Sequence, residues 1–263
     1  MRTILDEVVN NRRAEVLKQK QEIPLLEIEA GIDSRITRNS LSGILMAPGA
    51  NGIIAEFKRR SPSKGIINDS VSAEIVTRAY AEAGVSGLSV LTENRYFGGN
   101  TADFIAARNA NLFTPLLRKD FIVDPYQVYE SRLLKADVIL LIAAVLTKKE
   151  ISRFTSIAHE LGMEVLLELH DESEIEKIDH AVDLIGINNR NLKDFKVDLD
   201  RSLKLLDRLP ANAVKISESG ISDPETVDHL RSRGFHGFLV GENFMKSEDP
   251  GAACLEFISR LKQ

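Results

Sequence analysis

After Asn51-Gly52 the chain settles into one rhythm, repeated eight times: a short apolar run, then a longer stretch with helical spacing. The runs cover residues 53–58, 87–91, 115–119, 137–142, 164–168, 184–188, 213–217 and 237–240. Helical patterns lie near 71–83, 101–110, 125–134, 147–161, 172–179, 199–208, 223–233 and 250–261. Runs such as "VILLIA", "LIGI" and "GFLV" leave no polar face, as strands covered on both sides require. Eight strand–helix units are the number that closes. The expectation is therefore an α/β fold, a (β/α)8 TIM barrel rather than an open sheet.

Before the barrel, residues 2–20 read as an amphipathic helix with Ile4, Leu5, Val8, Val9, Val16 and Leu17 on one stripe. Shorter helical pieces are expected around 24–30 and 39–46. The organisation predicted is one barrel domain over 1–263, with 1–50 as a helical extension packed on it. Closure has a second signal. "DFIVDPYQVYESRLLKADVILL" (120–141) and "SGISDPETVDHLRSRGFHGFLV" (219–240) share Asp-Pro, then Val and Arg at equal offsets, then an apolar run. Each Asp-Pro fits an N-cap followed by proline at the first helical position. The two segments belong to units three and seven, the spacing of a doubled half-barrel; two coincidentally similar helix starts remain the plainer reading.

Composition narrows the function classes. A net charge of −5 argues against a nucleic-acid or anionic-membrane surface. No apolar run approaches the ~20 residues of a membrane span, "VILLIAAVL" being the longest. A single cysteine, Cys254, excludes an intrachain disulfide and a cysteine-based metal cluster. A soluble protein of a reducing compartment, the cytoplasm, is expected.

In a barrel of this kind, active sites sit where the strands end, so polar residues there carry the information. Glu56 and Lys58 close the first strand, Lys119 the third, Glu168 the fifth, Asn188 (with Arg190 two further on) the sixth and Glu218 the seventh. Alternation puts Lys119 on the face of Leu117, Glu168 on that of Leu166 and Glu218 on that of Ile216. Isolated ions there would be costly, so the set must neutralise itself or meet a polar ligand. Strand-end salt bridges are the alternative for any one of them.

Two glycine-bearing segments, "SESGIS" (217–222) and "VGENF" (240–244), follow strands seven and eight, where barrels often bind phosphate. Gly220 and Gly241 would let backbone approach an anion. The five histidines show no ligand spacing. His170 shares parity with Glu168, yet a capping or solvent role is expected. Arg59, Arg60, Lys64 and Lys148-Lys149 read as solvated charges. Ser61 reads as a turn former placed beside the mouth.

These segments meet a known family. "ILDEVVNNRRAEV", "AEFKRRSPSKG", "SVLTENRYFGG", "PLLRKDFIVDPYQ", "LLIAAVL", "GMEVLLELH", "IGINNRNL", "ISESGI" and "FLVGENFM" resemble, in order, the motifs of the indole-3-glycerol phosphate synthases. The resemblance spans nearly the whole chain. It implies closure of 1-(2-carboxyphenylamino)-1-deoxyribulose 5-phosphate to indole-3-glycerol phosphate, with loss of CO2 and water, in tryptophan biosynthesis. By the family's motifs Lys119 is the general acid on the ribulose carbonyl, Glu168 the base of the later dehydration and Lys58 the acid expelling hydroxyl. Glu56, Asn188 and Glu218 position and polarise. Arg190 and Lys58 meet the substrate carboxylate. Ser61, Ser219, Gly220, Gly241 and the backbone at Glu242 hold the phosphate, and Phe97 and Phe121 border the aromatic ring.

The chemistry fits this inventory. Attack by an arene carbon on a ketone needs a proton delivered to oxygen, which a buried lysine of lowered pKa can supply. Decarboxylation restores aromaticity, so neither cofactor nor metal is demanded. Two departures stand out: Glu242 occupies a position where some members carry a small residue, so its carboxylate must point away from phosphate; and "RYFGGN" carries a Gly-Gly at its tip. Two rivals remain at this point: a phosphoribosyl-anthranilate isomerase, which relies on an Asp or Cys pair, and a non-catalytic phosphate-binding or assembly subunit. No fused partner domain is expected, though association with other tryptophan-pathway enzymes is compatible with the sequence. The 59–66 loop is expected to be a mobile lid.

Overall fold

The computed structural model describes residues 3–33, 35, 39–191 and 196–262, apart from the side chain of Arg201. Arg2 of the expected first helix and Leu192 of "IGINNRNL" lie outside the described residues. Eight parallel strands form the barrel: β1 (Ile53–Phe57), β2 (Gly87–Leu91), β3 (Leu116–Lys119), β4 (Val138–Ile142), β5 (Glu164–Leu169), β6 (Leu184–Asn188), β7 (Val214–Glu218) and β8 (Gly237–Val240). Each pairs with its neighbours in sequence, and β1 pairs with both β2 and β8, closing the sheet. Every residue of β1, β2, β4, β5 and β8 is buried, which is why these runs lack a polar face.

Alternation along the strands divides two cores. Ile53, Ala55, Phe57, Ile139, Leu141, Val165 and Leu167 face outward against the helices. Ile54, Leu117, Leu140, Leu166, Ile216 and Leu239 fill the interior. The outer layer is α4 (Ala73–Glu82), α5 (Thr101–Ala110), α6 (Pro125–Leu133), α7 (Lys148–Glu160), α8 (Leu199–Leu206), α9 (Pro224–Ser232), the short α10 (Glu242–Met245) and α11 (Pro250–Ser259). After β5, in place of the expected α-helix, Glu172–Lys177 forms a 3-10 helix. Glu172 and Glu176 would stand as like charges one turn apart in an α-helix, and few apolar anchors oppose them. Asp124 and Asp223 cap α6 and α9 with proline at the next position, in the loops after β3 and β7, four units apart as their likeness suggested.

The extension before the barrel has two jobs. α3 (Leu41–Leu45) plugs the N-terminal mouth: Leu41 and Leu45 join the interior core. Glu164, first residue of β5, accepts from Ser40 Oγ (2.6 Å), Ser42 Oγ (2.7 Å) and the N–H groups of Leu41 and Ser42. α1 (Ile4–Glu22) and α2 (Leu25–Gly31) lie against α6, where Val16 and Ile28 pack on Tyr126. The apolar stripe expected on α1 is only partly right. Its buried face is Val8, Arg12 and Val16, at four-residue spacing, while Leu17 is 62% exposed. Among the described residues no helix is long and apolar enough to cross a membrane.

Residues 59–66 carry a small antiparallel ribbon, Arg60–Ser61 against Gly65–Ile66. Arg59 is an anchor there, contrary to its expected solvated role. It pairs with Asp103 at 2.9 Å, donates to the carbonyls of Asp69 and Val71, and lies over the Phe57 ring. The Arg60 N–H donates to the Phe97 carbonyl at 3.2 Å, tying this ribbon to the loop after β2.

Candidate active site

At the C-terminal ends of the strands lies a cavity of about 560 Å³. All fourteen residues singled out from the sequence line it: Glu56, Lys58, Ser61, Phe97, Lys119, Phe121, Glu168, Asn188, Arg190, Glu218, Ser219, Gly220, Gly241 and Glu242. Parity explains the convergence, since each strand-end charge continues the inward face of an interior apolar residue. Lys119 stands between two carboxylates: its Nζ lies 3.1 Å from Glu168 Oε2 and also donates to Glu218 Oε2. Lys58 Nζ lies 2.8 Å from Glu56 Oε1. Thus the charges pair with one another, and each pair offers an ammonium and a carboxylate to a guest.

The electrostatics correct one expectation. Burial by itself would lower the Lys119 pKa, but the charges of Glu218, Glu168 and Glu56 outweigh it and hold the ammonium well above its usual value. Lys119 therefore carries its proton throughout the neutral range, ready as a donor. Burial works to raise the Glu168 pKa, yet Lys119 and His170 overcome it, leaving that carboxyl well below its usual range and ionised. Glu218 goes the other way: burial and the neighbouring charge of Glu168 push it up to about 8, against the pull of Lys119. The two carboxyls are thus driven apart, one ionised and one holding its proton.

A pH signature follows. Between the ordinary carboxyl value of 4.5 and about 8 the folded protein holds a Glu218 proton that the unfolded chain has lost. Stability must then fall as pH rises through that window, by at most about 1.4 kcal/mol per pH unit for one proton. Thermal unfolding from pH 5 to 8 is expected to show a shallower decline in Glu218→Gln; an unchanged slope would contradict the raised value.

The loops beyond β7 and β8 are built for close approach. Ser219 and Gly220 take positive φ values of 69° and 77°. At Gly220 a Cβ would fall 2.2 Å from Val197 Cγ1, so a side chain there meets both a left-handed backbone and a neighbour that must give way. Gly241 meets a further need: its φ is ordinary, but a Cβ would fall 2.6 Å from Glu56 Oε1 and 2.9 Å from Glu56 Cβ. Gly241→Ala is therefore expected to displace Glu56 from Lys58 and to lower kcat/KM at least about tenfold in a folded protein, measured by steady-state assay beside thermal melting. The buried Asn189 fastens this region by donating to the carbonyls of Glu218 and Ser219 at 2.9 Å. Asn188 Oδ1 accepts the Arg190 N–H. The Arg190 guanidinium stands 3.6 Å from Glu242, and Lys64 3.7 Å from the same carboxylate, which turns toward these cations.

Part of the lining is apolar. Phe97 and Phe121 meet with ring centroids 5.9 Å apart, and Ile4, Leu5 and Val8 of α1 complete the wall. A cavity lined by cations, glycine turns, acid–base pairs and an aromatic pair suits an anionic aryl phosphate. Among the described residues no group of three or more His, Cys, Asp or Glu side chains could hold a metal ion.

A profile of the indole-3-glycerol phosphate synthases matches residues 5–257. The chain belongs to that family. An indole-3-glycerol phosphate synthase of Bacteroides thetaiotaomicron is 46% identical over 262 residues, covering 100% of each chain. Another, from Polaromonas sp., is 42% identical over 260 residues, covering 97% of this chain and 98% of that one. As a member of this synthase family the chain is a carboxy-lyase of tryptophan biosynthesis. The solved 3-hexulose-6-phosphate synthase from Salmonella typhimurium superposes with a TM-score of 0.63 over 79% of this chain and 97% of its own. At 14% identity that likeness shows the shared barrel alone.

His170 belongs to the site, although its sequence context suggests a capping or solvent role. It is buried, not solvated, and its Nε2 lies 3.1 Å from Glu168 Oε1, so it supports the ionised carboxylate. Its parity with Glu168 was the available signal. No comparable signal marked Ile4, Leu5 and Val8 as cavity wall, because where a helix outside the barrel docks is a tertiary matter.

Proposed function

We propose that this member of the synthase family acts as one barrel unit, with residues 1–50 packed on it as an extension, and works in the cytoplasm. Its substrate is 1-(2-carboxyphenylamino)-1-deoxyribulose 5-phosphate. The observation that carries the residue assignment is Lys119, a persistent ammonium held between an ionised Glu168 and a proton-holding Glu218 on the cavity floor.

In this reading Ser61, Ser219, Gly220, Gly241 and the backbone at Glu242 hold the phosphate. Glu242 N–H lies in the first turn of α10, where amide groups lack intrahelical partners. Phe97 and Phe121 flank the aryl ring, and Arg190 and Lys58 face its carboxylate. The arene carbon attacks the ketone carbon as Lys119 gives its proton to the carbonyl oxygen, forming one C–C bond and a hydroxyl. The bond to the carboxylate then breaks, its electrons restore the aromatic ring, and CO2 leaves. Glu168 next takes a ring proton while Lys58 protonates the departing hydroxyl, which leaves as water. Glu56 and Asn188 orient Lys58 and Arg190. The raised Lys119 pKa suits this order, since a donor must arrive protonated; the transition state draws the proton off as negative charge gathers on oxygen.

Incubating the protein with this substrate and following indole fluorescence tests the reading. Appearance of indole-3-glycerol phosphate is expected, and no signal at micromolar enzyme would overturn it. Association with other tryptophan-pathway enzymes belongs to the same proposal; co-purification of a tagged chain with one of them is the outcome that would support it.

A further inference from the structure

α1 lies outside the barrel, yet the centre of its buried face is a guanidinium. Arg12 reaches Asp120, the residue after Lys119, with Nη2 at 2.7 Å from Asp120 Oδ2. That oxygen also accepts from Thr92 Oγ1 at 2.6 Å and Arg118 Nη2 at 3.0 Å, and all four side chains are buried. The other oxygen, Asp120 Oδ1, accepts the backbone N–H of Phe121 at 2.8 Å. Thus a chain of contacts runs from α1 through Asp120 to the main chain of the aromatic residue that lines the cavity.

A second grip is made by Glu7 and Asn11 of the same helix. Tyr96 Oη donates to Glu7 Oε1 at 2.8 Å and accepts from Asn11 Nδ2 at 2.5 Å. Tyr96 precedes Phe97, and Glu93 binds the N–H groups of Arg95, Tyr96 and Phe97 at 2.8–2.9 Å. So α1 holds the loops after β2 and β3 at once. Those loops supply Phe97 and Phe121, whose rings are in contact, while Ile4, Leu5 and Val8 of the same helix face the same space. A buried arginine–aspartate pair is a poor device for stability alone, since well-packed apolar residues often do as well. It is an effective device for fixing one geometry.

We propose that Arg12 and Tyr96 are positioning residues for the aryl end of the substrate, through which α1 sets the spacing of Phe97 and Phe121. This rests on the assignment of those two rings to the aryl group. Arg12 touches no reacting atom; it acts through Asp120. The phosphate end, built by the loops after β7 and β8, has no part in the two grips, so their loss acts on one end of the ligand only.

The test compares two probes. One is the substrate with its carbonyl reduced to the alcohol, which carries both ends and cannot react; the other is ribulose 5-phosphate, which lacks the aryl group. In Arg12→Met, affinity for the reduced substrate is expected to fall about tenfold, the scale of one aromatic contact, with ribulose 5-phosphate within about twofold of wild type. KM should rise more than kcat falls, and Arg12→Lys, which can still reach Asp120, should recover most of the loss. Equal weakening of both probes, or no weakening of either in a folded Arg12→Met protein, would overturn the proposal. Should Arg12→Met not fold, Tyr96→Phe at the more exposed grip reads the same strut. About threefold weaker binding of the reduced substrate alone is then expected, and unchanged binding overturns the inference. Failure of the wild-type protein to bind the reduced substrate would instead sink the aryl assignment itself.

Discussion

Replacing Lys119 by alanine is expected to lower kcat by about 10²–10⁴-fold, the contribution of one positioned proton donor, while binding of the reduced substrate changes far less. The proposed donor is lost, but the loops after β7 and β8 and the aromatic pair are left in place. The substitution also strips Glu168 and Glu218 of the charge that lies between them. Both buried carboxyls should then rise in pKa, so the folded state holds protons that the unfolded chain releases as pH increases. The melting temperature of Lys119→Ala should therefore lag wild type more at pH 8 than at pH 5.5. Near-normal turnover would remove the assigned role. A stability deficit independent of pH would remove the electrostatic one.

Glu168→Gln should cost a similar factor of about 10²–10⁴ in indole formation, but at a different step. Glutamine keeps the shape of the side chain and loses the capacity to take a proton. In the proposed reaction ring closure uses Lys119 and decarboxylation the substrate's own electrons, so both should outlast the change. In a single turnover, CO2 from the substrate carboxylate should appear while indole fluorescence does not. If CO2 and indole are lost together, Glu168 acts before decarboxylation. If neither is lost, it is not the base. His170, 3.1 Å away, is part of this prediction because it helps keep Glu168 ionised.

Much of the site was legible beforehand because barrel strands obey a period of two. Once Leu117, Leu166 and Ile216 are recognised as interior, Lys119, Glu168 and Glu218 must face the same mouth. The misreadings share a different cause. Arg59 resembled a solvated loop charge because Asp103, its partner, lies 44 residues away. His170 resembled a capping residue because burial at a strand end depends on what the neighbouring strands place above it. Burial alone would lower the Lys119 pKa, and the three carboxylates that reverse this stand far from it in the chain.

The sequence by itself determined the eight strand–helix units, the closing of the sheet they imply and the list of residues at its mouth. These follow from local alternation, caps and turns, which a chain states in order along its length. Only the tertiary structure decided that α3 seats under the barrel on Glu164, that α1 reaches the loops after β2 and β3 through Arg12 and Tyr96, and that Gly241 makes room for Glu56. It also decided which carboxyl is charged and which holds its proton. Distances between residues far apart in the chain set these outcomes, and the Coulomb and burial terms that depend on those distances have no counterpart in the order of residues.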